Sequence, residues 1–422
     1  MEKLTDKLSH TNLLSPKECA LIVRRTLQLP EDENLQLLEY WIEPGSSELI
    51  GFMGDYYKLY VRVKQKQEHN LQYFIKSLPL NNAPHRDECE RKGFFRKERA
   101  IYGEILPKIQ KYASGKLCAK SYYTRSDLMV LEDLSYTYRQ IRADESYTLQ
   151  HLKVVLAQQA ELHAASIAWE QAEGFSIGER YKDVLFELHI TTSNEWYMAG
   201  VKGIIYLAKR HEKFQTSLAQ DFISNKLYGL LCKAEEIAGP SKTLRNVLCH
   251  RDTWDRNIFF KFAKDSSIPD TCCFVDFQLT TYSPPTLDVL FMLYIIPTAG
   301  MRRQIYDACL EHYFQCLQSQ FARLQIAADT MSRQDFLEHC KIARVAALIL
   351  WALCEPLLKM PEGLSKKFRT EEPDRFDFYL NSDRSGLLER VMELHPEYKS
   401  AVMAPIGELL EYLMETEDLF KL

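Results

Sequence analysis

The sequence predicts an α+β fold in which a small sheet carrying one long helix precedes a larger, mainly helical part. Glycine is scarce, with 16 residues among 422, whereas the usual share is about 7%, and this favours helices over a turn-rich all-β chain. Residues that favour strands dominate from Gly51 to Asp133. After Asp133 the apolar residues recur at helical spacing.

The first part contains three predicted strands, with one predicted helix between the second and the third. Apolar residues and residues that favour strands predict them at residues 56–63, 72–78 and 128–132. In residues 93–102 apolar side chains recur at helical spacing, and Pro107 is expected to stop the helix. The expected structure is a small sheet with one long helix.

The second part is predicted to be mainly helical, with two short strands embedded in it. Helices are expected up to residue 231 and, among the longest, at residues 149–169, 301–328 and 335–358. Short apolar runs at 247–249 and 272–275 predict the strands. We therefore expect two domains, residues 1–133 with the sheet and residues 134–422 with the helices.

Composition and charge exclude several functional classes. Apolar residues make up 46% and the net charge is −5, so the chain has an ordinary globular composition and no basic face for a nucleic acid. The longest apolar run, residues 345–354, is far shorter than the roughly 20 residues that cross a bilayer. The eleven cysteines form no C-x-x-C pair, which argues against structural zinc. With a polar first segment, these features predict a reduced, cytoplasmic protein without nucleic-acid or membrane partners.

One stretch combines the side chains that phosphoryl transfer requires. A predicted strand delivers His250 and Asp252 to a loop. Asn257 follows Asp252 by five residues, and Asp276 follows Asn257 by nineteen, at the end of another predicted strand. One carboxylate must orient the attacking hydroxyl and take its proton, while an amide oxygen and a second carboxylate hold Mg²⁺. The spacing H-x-D-x-x-x-x-N before a strand that ends in Asp predicts these roles.

The first part of the chain supplies matching groups for a nucleotide. Lys76 lies within a predicted strand and Glu98 on the helix after it, which is how kinases hold an ammonium group on the α- and β-phosphates. Gly51 and Gly54 precede the first strand and are candidates for the turn that covers the nucleotide. The sequence has no G-x-x-x-x-G-K-[ST] motif, which argues against a P-loop enzyme.

Several of these residues also have a purely structural interpretation. His250 is more typical of a buried scaffold residue than of a chemical group, and Lys76 could instead extend along the surface. Glu132 and Asp133, at the end of the third strand, could cap the segment after them. His163, in the helix before the loop, is interpreted as structural.

Short motifs add to this pattern over most of the chain. They are L-P-L-N at 78–81, F-F-R-K-E-R-A-I-Y at 94–102, V-L-E-D-L at 130–134, L-H-A-A-S at 162–166, the stretch 247–260, V-D-F-Q at 275–278 and P-P-T-L-D at 284–288. With these motifs the chain resembles the ecdysteroid kinase-like, or choline/aminoglycoside-kinase-like, family of small-molecule kinases that is abundant in insects. The resemblance runs from about Gly51 to Tyr313 and implies a protein-kinase-like, two-lobed fold that uses ATP and Mg²⁺.

The resemblance also implies roles for residues in the first part of the chain. Lys76 would contact the phosphates of ATP, and Glu98 would hold Lys76 in place. The segment of Leu131, Glu132 and Asp133 would form the hinge against the adenine.

For the catalytic stretch, the resemblance implies that Asp252 is the catalytic base and that Asn257 and Asp276 bind magnesium. Asp288 would brace the catalytic loop. One departure concerns this loop, because the family has His-Gly-Asp where this chain has Arg251 in the middle position. We expect Arg251 to form a local ion pair with Asp255 or Asp288.

The acceptor that the resemblance implies is a small lipophilic alcohol, with ecdysteroids as the leading class. Alternatives are a choline, ethanolamine or xenobiotic kinase of the same fold, or a catalytically idle protein that binds a small ligand. The segment 194–197 and the predicted helix that contains Trp351 are candidates for the acceptor pocket, since apolar and aromatic walls suit a flat alcohol, although packing in the core is the more typical use of any one of these residues. The sequence assigns no oligomeric state.

Overall fold

The computed structural model describes residues 13–45, 54–80, 83–142, 144–264 and 266–416. Its contacts divide the chain into two compact units. The first unit consists of residues 1–144 and 256–278, and the second of residues 145–255 and 279–422. Asn257 and Asp276 thus belong to the first unit and Asp252 to the second. The domain boundary between residues 133 and 134 stays a prediction.

The first unit is built on a five-stranded sheet in which all neighbouring strands are antiparallel. Its strands are β1 (Gln36–Pro44), β2 (Asp55–Lys64), β3 (Glu68–Ser77), β4 (Ser121–Thr124) and β5 (Leu128–Glu132), in the spatial order β1-β2-β3-β5-β4. The three predicted strands correspond to β2, β3 and β5. Strands β1 and β4 were not predicted from the sequence.

One face of this sheet is covered by helix α1 (Pro16–Leu27), which the sequence analysis also missed. Ser15 and Glu18 form a capping box at its start, and this satisfies backbone N–H groups that have no partner inside the helix. Ile22 and Val23 are fully buried in the same apolar cluster as Leu59 of β2. Because side chains alternate along a strand, the polar side chains of β3 next to these buried positions lie on the other face of the sheet.

A chain of short helices follows β3. They are α2 (Ala83–Lys92), α3 (Phe94–Ala100), a π-helical turn (Ile101–Ile105) and α4 (Leu106–Ile109). The expectation that Pro107 stops the helix is wrong, because the helical path continues through it. Pro107 is in the first turn of α4, directly after the π-helical turn, and proline is tolerated in the first turn of a helix.

Four short strands lie later in the chain: β6 (Val247–Cys249), β7 (Ile258–Phe262), β8 (Pro269–Phe274) and β9 (Thr281–Ser283). In the first unit, β7 and β8 form an antiparallel ribbon. In the second unit, β6 pairs with β9. The predicted strands at 247–249 and 272–275 correspond to β6 and β8.

The rest of the second unit is helical. Its helices are α5 (Leu149–Glu173), α6 (Ile177–Arg180), α7 (Glu195–Arg210), α8 (Ser217–Asn225), α9 (Leu227–Ala238), α10 (Pro285–Ile295), α11 (Ala299–Leu324), α12 (Arg333–Leu358), α13 (Leu364–Glu371), α14 (Pro373–Asn381), α15 (Ser385–Leu394) and α16 (Pro396–Glu415). The predicted long helices correspond to α5, α11 and α12, and the α+β fold class is confirmed. No helix within the described ranges is long and apolar enough to cross a membrane.

Replacing Ile22 by Ala tests whether α1 stabilises the sheet. Ile22 is fully buried against the sheet, so its truncation is expected to lower the free energy of unfolding by about 2–4 kcal/mol. The matched control is Leu21→Ala on the same helix, whose side chain is 37% exposed and which is expected to change stability by less than about 1 kcal/mol. Thermal and denaturant unfolding measure both variants, and equal losses would contradict this packing.

Candidate active site

Lys76 lies on β3 and makes two ion pairs within the first unit. Its Nζ atom is 2.5 Å from Oε2 of Glu98 and 2.8 Å from Oδ1 of Asp276. Lys76 and Glu98 are almost fully buried, whereas the Asp276 side chain is 24% exposed. The neighbouring Ile75 points into the apolar cluster under α1, so the alternation of the strand directs Lys76 to the opposite face. Lys76 is therefore not a surface lysine.

The charges of this cluster follow from burial and from the two carboxylates. Burial disfavours the ammonium group, but Asp276 and Glu98 outweigh this effect and raise the pKa of Lys76. Burial raises the pKa of Glu98, Lys76 lowers it and Asp276 raises it further, so that the pKa is about 7. Lys76 is thus a buried residue that keeps its positive charge.

Asn257 and Asp276 lie at the same end of the β7–β8 ribbon. Ile258 pairs with Phe274, and the backbone carbonyl of Asn257 accepts a hydrogen bond from the Val275 N–H at 3.1 Å. The next residue, Asp276, has a φ of 64°, a left-handed conformation that Asp tolerates better than most residues. Asn257 and Asp276 are therefore close along the backbone at the end of the ribbon.

This pair of side chains fits a magnesium ion. Mg²⁺ prefers oxygen ligands and is usually held by one or two carboxylates together with substrate phosphates. Asp276 is partly exposed and offers a second carboxylate oxygen besides the one on Lys76. The donor set of Asn257 and Asp276 therefore suits the metal that the sequence predicts for them.

Tyr102 is a residue near this site that the sequence analysis missed. It lies in the π-helical turn and its ring contacts Phe277, the residue after Asp276, edge to face at 5.5 Å. π-helical turns are frequent at functional sites. Because such a turn requires no residue type, nothing in the sequence indicates it.

The loop that carries Asp252 belongs to the second unit and is held by Asp288 of α10. The backbone N–H groups of His250 and Arg251 donate to the two Asp288 carboxylate oxygens, each at 2.7 Å. The Asp252 N–H donates in turn to Nδ1 of His250 at 3.2 Å. Asp288 and His250 thus both hold the backbone of this loop.

Asp288 is fully buried but remains charged. Burial alone would raise the pKa of its carboxyl group, but the hydrogen bond and charge of His163 and the charge of His250 lower it. Nε2 of His163 lies 3.1 Å from Oδ2 of Asp288, and the hydroxyl of Tyr313 lies 2.8 Å from Nδ1 of the same ring. His163 therefore has a structural role.

The expected ion pair of the Arg251 side chain with Asp255 or Asp288 is not formed. The Arg251 guanidinium group instead pairs with Glu187 at 2.8 Å and donates to the carbonyl of Ala238. The φ of Arg251 is 69°, in the left-handed region that glycine adopts without strain. This explains why the family pattern has glycine at this position. Glu187 was missed because nothing in its local sequence relates it to a loop 64 residues later.

The predicted nucleotide contacts lie around the sheet of the first unit. Leu131 and Glu132 end β5, and Asp133 accepts a hydrogen bond from the Ser135 N–H at 3.0 Å. Asp133 therefore does cap the segment after it, and Glu132 pairs with Lys116.

Of the two predicted nucleotide-binding glycines, Gly51 lies outside the described residues. At Gly54 a Cβ atom would lie only 2.6 Å from the carbonyl oxygen of Ser77, which is too close for any other residue. The close approach of β2 and β3 therefore already explains this glycine.

Comparison with known proteins assigns the chain to a family. The model of the ecdysteroid kinase-like family matches residues 50–326, more than half of the chain. With the antiparallel sheet and the Lys76–Glu98 pair, this match confirms the predicted protein-kinase-like fold. A search of curated protein sequences finds no match.

Several solved structures resemble the chain weakly. The ethanolamine kinase of Plasmodium vivax has 12% identity and a TM-score of 0.38 over 93% of this chain and 86% of its own. The macrolide 2′-phosphotransferase of Brachybacterium faecium has 13% identity and a TM-score of 0.36 over 86% and 98%. A choline/ethanolamine kinase family protein of Mesorhizobium loti has 12% identity and a TM-score of 0.37 over 86% and 96%.

Replacing Glu187 by Gln tests the ion pair that holds Arg251. The change leaves the buried guanidinium without its counter-ion, and we expect a loss of about 3 kcal/mol in the free energy of unfolding. As a control, Glu173→Gln removes the exposed pair with Arg180, which is expected to cost less than about 1 kcal/mol. If thermal unfolding shows the same loss for both variants, the Glu187 pair does not hold this loop.

Proposed function

Because the chain belongs to the ecdysteroid kinase-like family, we propose that it transfers the γ-phosphoryl group of ATP, with Mg²⁺, to a hydroxyl group of a small lipophilic alcohol. Ecdysteroids are the leading class of acceptor. The observation that carries this proposal is the buried Lys76, held between Glu98 and Asp276. All eleven cysteines are free, which supports a reduced, cytoplasmic setting.

In the first unit, Lys76 binds and neutralises the phosphates while Glu98 keeps its ammonium group in place. Asn257 and Asp276 would hold Mg²⁺, which on binding neutralises charge on the phosphate oxygens. The backbone of Leu131, Glu132 and Asp133 would contact the adenine. Gly51 and Gly54 would cover the nucleotide.

Asp252 orients the acceptor hydroxyl for in-line attack and takes its proton. A bond forms between the acceptor oxygen and the γ-phosphorus, the bond to the β-phosphate oxygen breaks, and ADP leaves. His250, Arg251 and Asp288 act as positioning residues, because they determine the backbone conformation of the loop that carries Asp252.

Replacing Asp252 or Asp276 by Asn is expected to lower phosphoryl transfer at least about 100-fold, because the proton acceptor or the metal ligand is lost. The measurement is mass-spectrometric detection of phosphorylated product from a panel of steroid alcohols, amino alcohols and plant phenols. Asp270→Asn is the control for Asp276, since Asp270 is an exposed residue of the same ribbon. Full activity of a folded Asp252 or Asp276 variant would disprove the mechanism.

Binding of Mg-ATP is expected to raise the thermal unfolding midpoint, since a ligand that binds only the folded state stabilises it, by about 2.7 kcal/mol at 100 times its Kd. Lys76→Met should reduce this shift, because Lys76 would contact the phosphates. The shift of each variant is measured from its own ligand-free midpoint. The loss of stability that follows from losing the buried ion pairs therefore does not enter the comparison. Absence of any shift in the unchanged protein would favour an idle ligand-binding protein over a kinase.

A further inference from the structure

Three buried polar side chains of α5 contact β6, the loop after it and α10. Gln159, His163 and Ser166 are fully buried, and their spacing of four and three residues places them on one face of the helix. Nε2 of His163 lies 3.1 Å from Oδ2 of Asp288, and the Ser166 hydroxyl accepts a hydrogen bond from the Leu248 N–H at 3.2 Å. This face of α5 therefore lies along the segment that leads to Asp252.

Gln159 makes two hydrogen bonds, and one of them reaches the residue after Asp252. Its Nε2 atom donates to the hydroxyl of Thr253 at 3.0 Å and to the backbone carbonyl of Asp288 at 3.1 Å. The orientation of the amide is determined, because a backbone carbonyl can only accept. The Thr253 side chain is also buried, so both bonds lie in the interior, where hydrogen bonds are stronger than in water.

The Gln159 amide is costly to bury. Its Oε1 atom is buried and has no hydrogen-bond partner among the described residues, and an unpaired buried acceptor destabilises a protein. A methionine would fill a similar space without this cost. A glutamine at this position therefore calls for an explanation beyond packing.

The loop that carries Asp252 is anchored on both sides of this residue. Before it, two backbone N–H groups donate to the Asp288 carboxylate, each at 2.7 Å. After it, the Thr253 hydroxyl accepts from Gln159, and the Trp254 N–H donates to the Asp252 carbonyl at 3.1 Å. Because Gln159 also binds the Asp288 carbonyl, the anchors on the two sides are connected through one residue of α10.

We propose that Gln159 is a positioning residue for Asp252, because through Thr253 it holds the side of the loop that the Asp288 carboxylate does not bind. This inference rests on the proposed function, in which Asp252 orients the acceptor hydroxyl and takes its proton. The bonds to Asp288 precede Asp252 and do not restrain the backbone torsions after it, whereas the bond from Gln159 to Thr253 does. A misplacement of about 1 Å can lower a rate about 100-fold.

The first test is Gln159→Met, which removes both donors and keeps the length of the side chain. With Mg-ATP and the best acceptor of the panel of steroid alcohols, amino alcohols and plant phenols, we expect kcat to fall about tenfold, because a misplaced Asp252 slows the chemical step. KM for Mg-ATP should change less than about twofold, since the predicted nucleotide groups belong to the first unit. Gln171→Met, the same change at an exposed position of α5, is the matched control and should leave both constants unchanged. A rise in KM without a loss of kcat would overturn the proposal.

Variants of Thr253 test the same bond from its other end. Thr253→Val removes the acceptor and should lower kcat as much as Gln159→Met does, whereas Thr253→Ser keeps the hydroxyl and should keep the activity. The double variant of Gln159→Met and Thr253→Val should be no slower than the slower single variant, because both changes remove the same bond. Additive losses, or equal losses for the valine and serine variants, would overturn the proposal.

Hydrogen exchange measures the hold on the loop without any need for catalysis. Mass spectrometry follows amide exchange in peptides that span residues 248–256, where several backbone N–H groups are hydrogen-bonded. Exchange should be about tenfold faster in Gln159→Met and in Thr253→Val, because the loop opens more often, and unchanged in Gln171→Met. Unchanged exchange in both loop variants would overturn the proposal, and if Gln159→Met fails to fold, Thr253→Val decides both measurements. A negative acceptor panel would disprove the proposed function, whereas exchange would still show whether Gln159 holds the loop.

Discussion

The hydrogen bonds between the buried Asp288 carboxylate and the loop after β6 are the interaction on which the position of Asp252 depends. The carboxylate accepts hydrogen bonds from two backbone N–H groups of this loop, and one of its oxygens lies beside the His163 ring. Taking a carboxylate out of water is costly unless hydrogen bonds replace the solvent, and here those bonds come from the peptide groups just before Asp252. Satisfying this charge therefore also determines the backbone conformation of the loop. Asp288 and the predicted catalytic residue Asp252 therefore belong to one local structure.

Each unit has, among its predicted site residues, one charged residue in a left-handed backbone conformation. Arg251 and Asp276 have φ values of 69° and 64°, and such conformations of non-glycine residues are costly, of order 1–3 kcal/mol each. Each residue is held by a specific ion pair, Arg251 by Glu187 and Asp276 by Lys76. At the position of Arg251, where the family pattern has glycine, the Glu187 ion pair thus helps to hold the left-handed conformation.

The sequence predicts those features that depend on local pattern or on fixed order along the chain. The strands at 247–249 and 128–132 and the pairing of Lys76 with Glu98 are of this kind. It does not predict β1, whose exposed residues break the alternation, or the short helix α1, whose buried face is defined by the sheet it covers. Glu187 could not be found either, because its partner Arg251 lies 64 residues further along the chain.

The first unit is discontinuous along the chain, and this has a consequence for its biosynthesis. Lys76 and Asp276 are 200 residues apart, and the β7–β8 ribbon belongs to the same unit as the sheet. At about 5–20 residues per second, a ribosome needs roughly 7–27 s to proceed from residue 144 to residue 278. During that interval Lys76 has Glu98 as its counter-ion but lacks Asp276. The sheet is therefore made first, yet its unit is completed only after most of the chain has been translated.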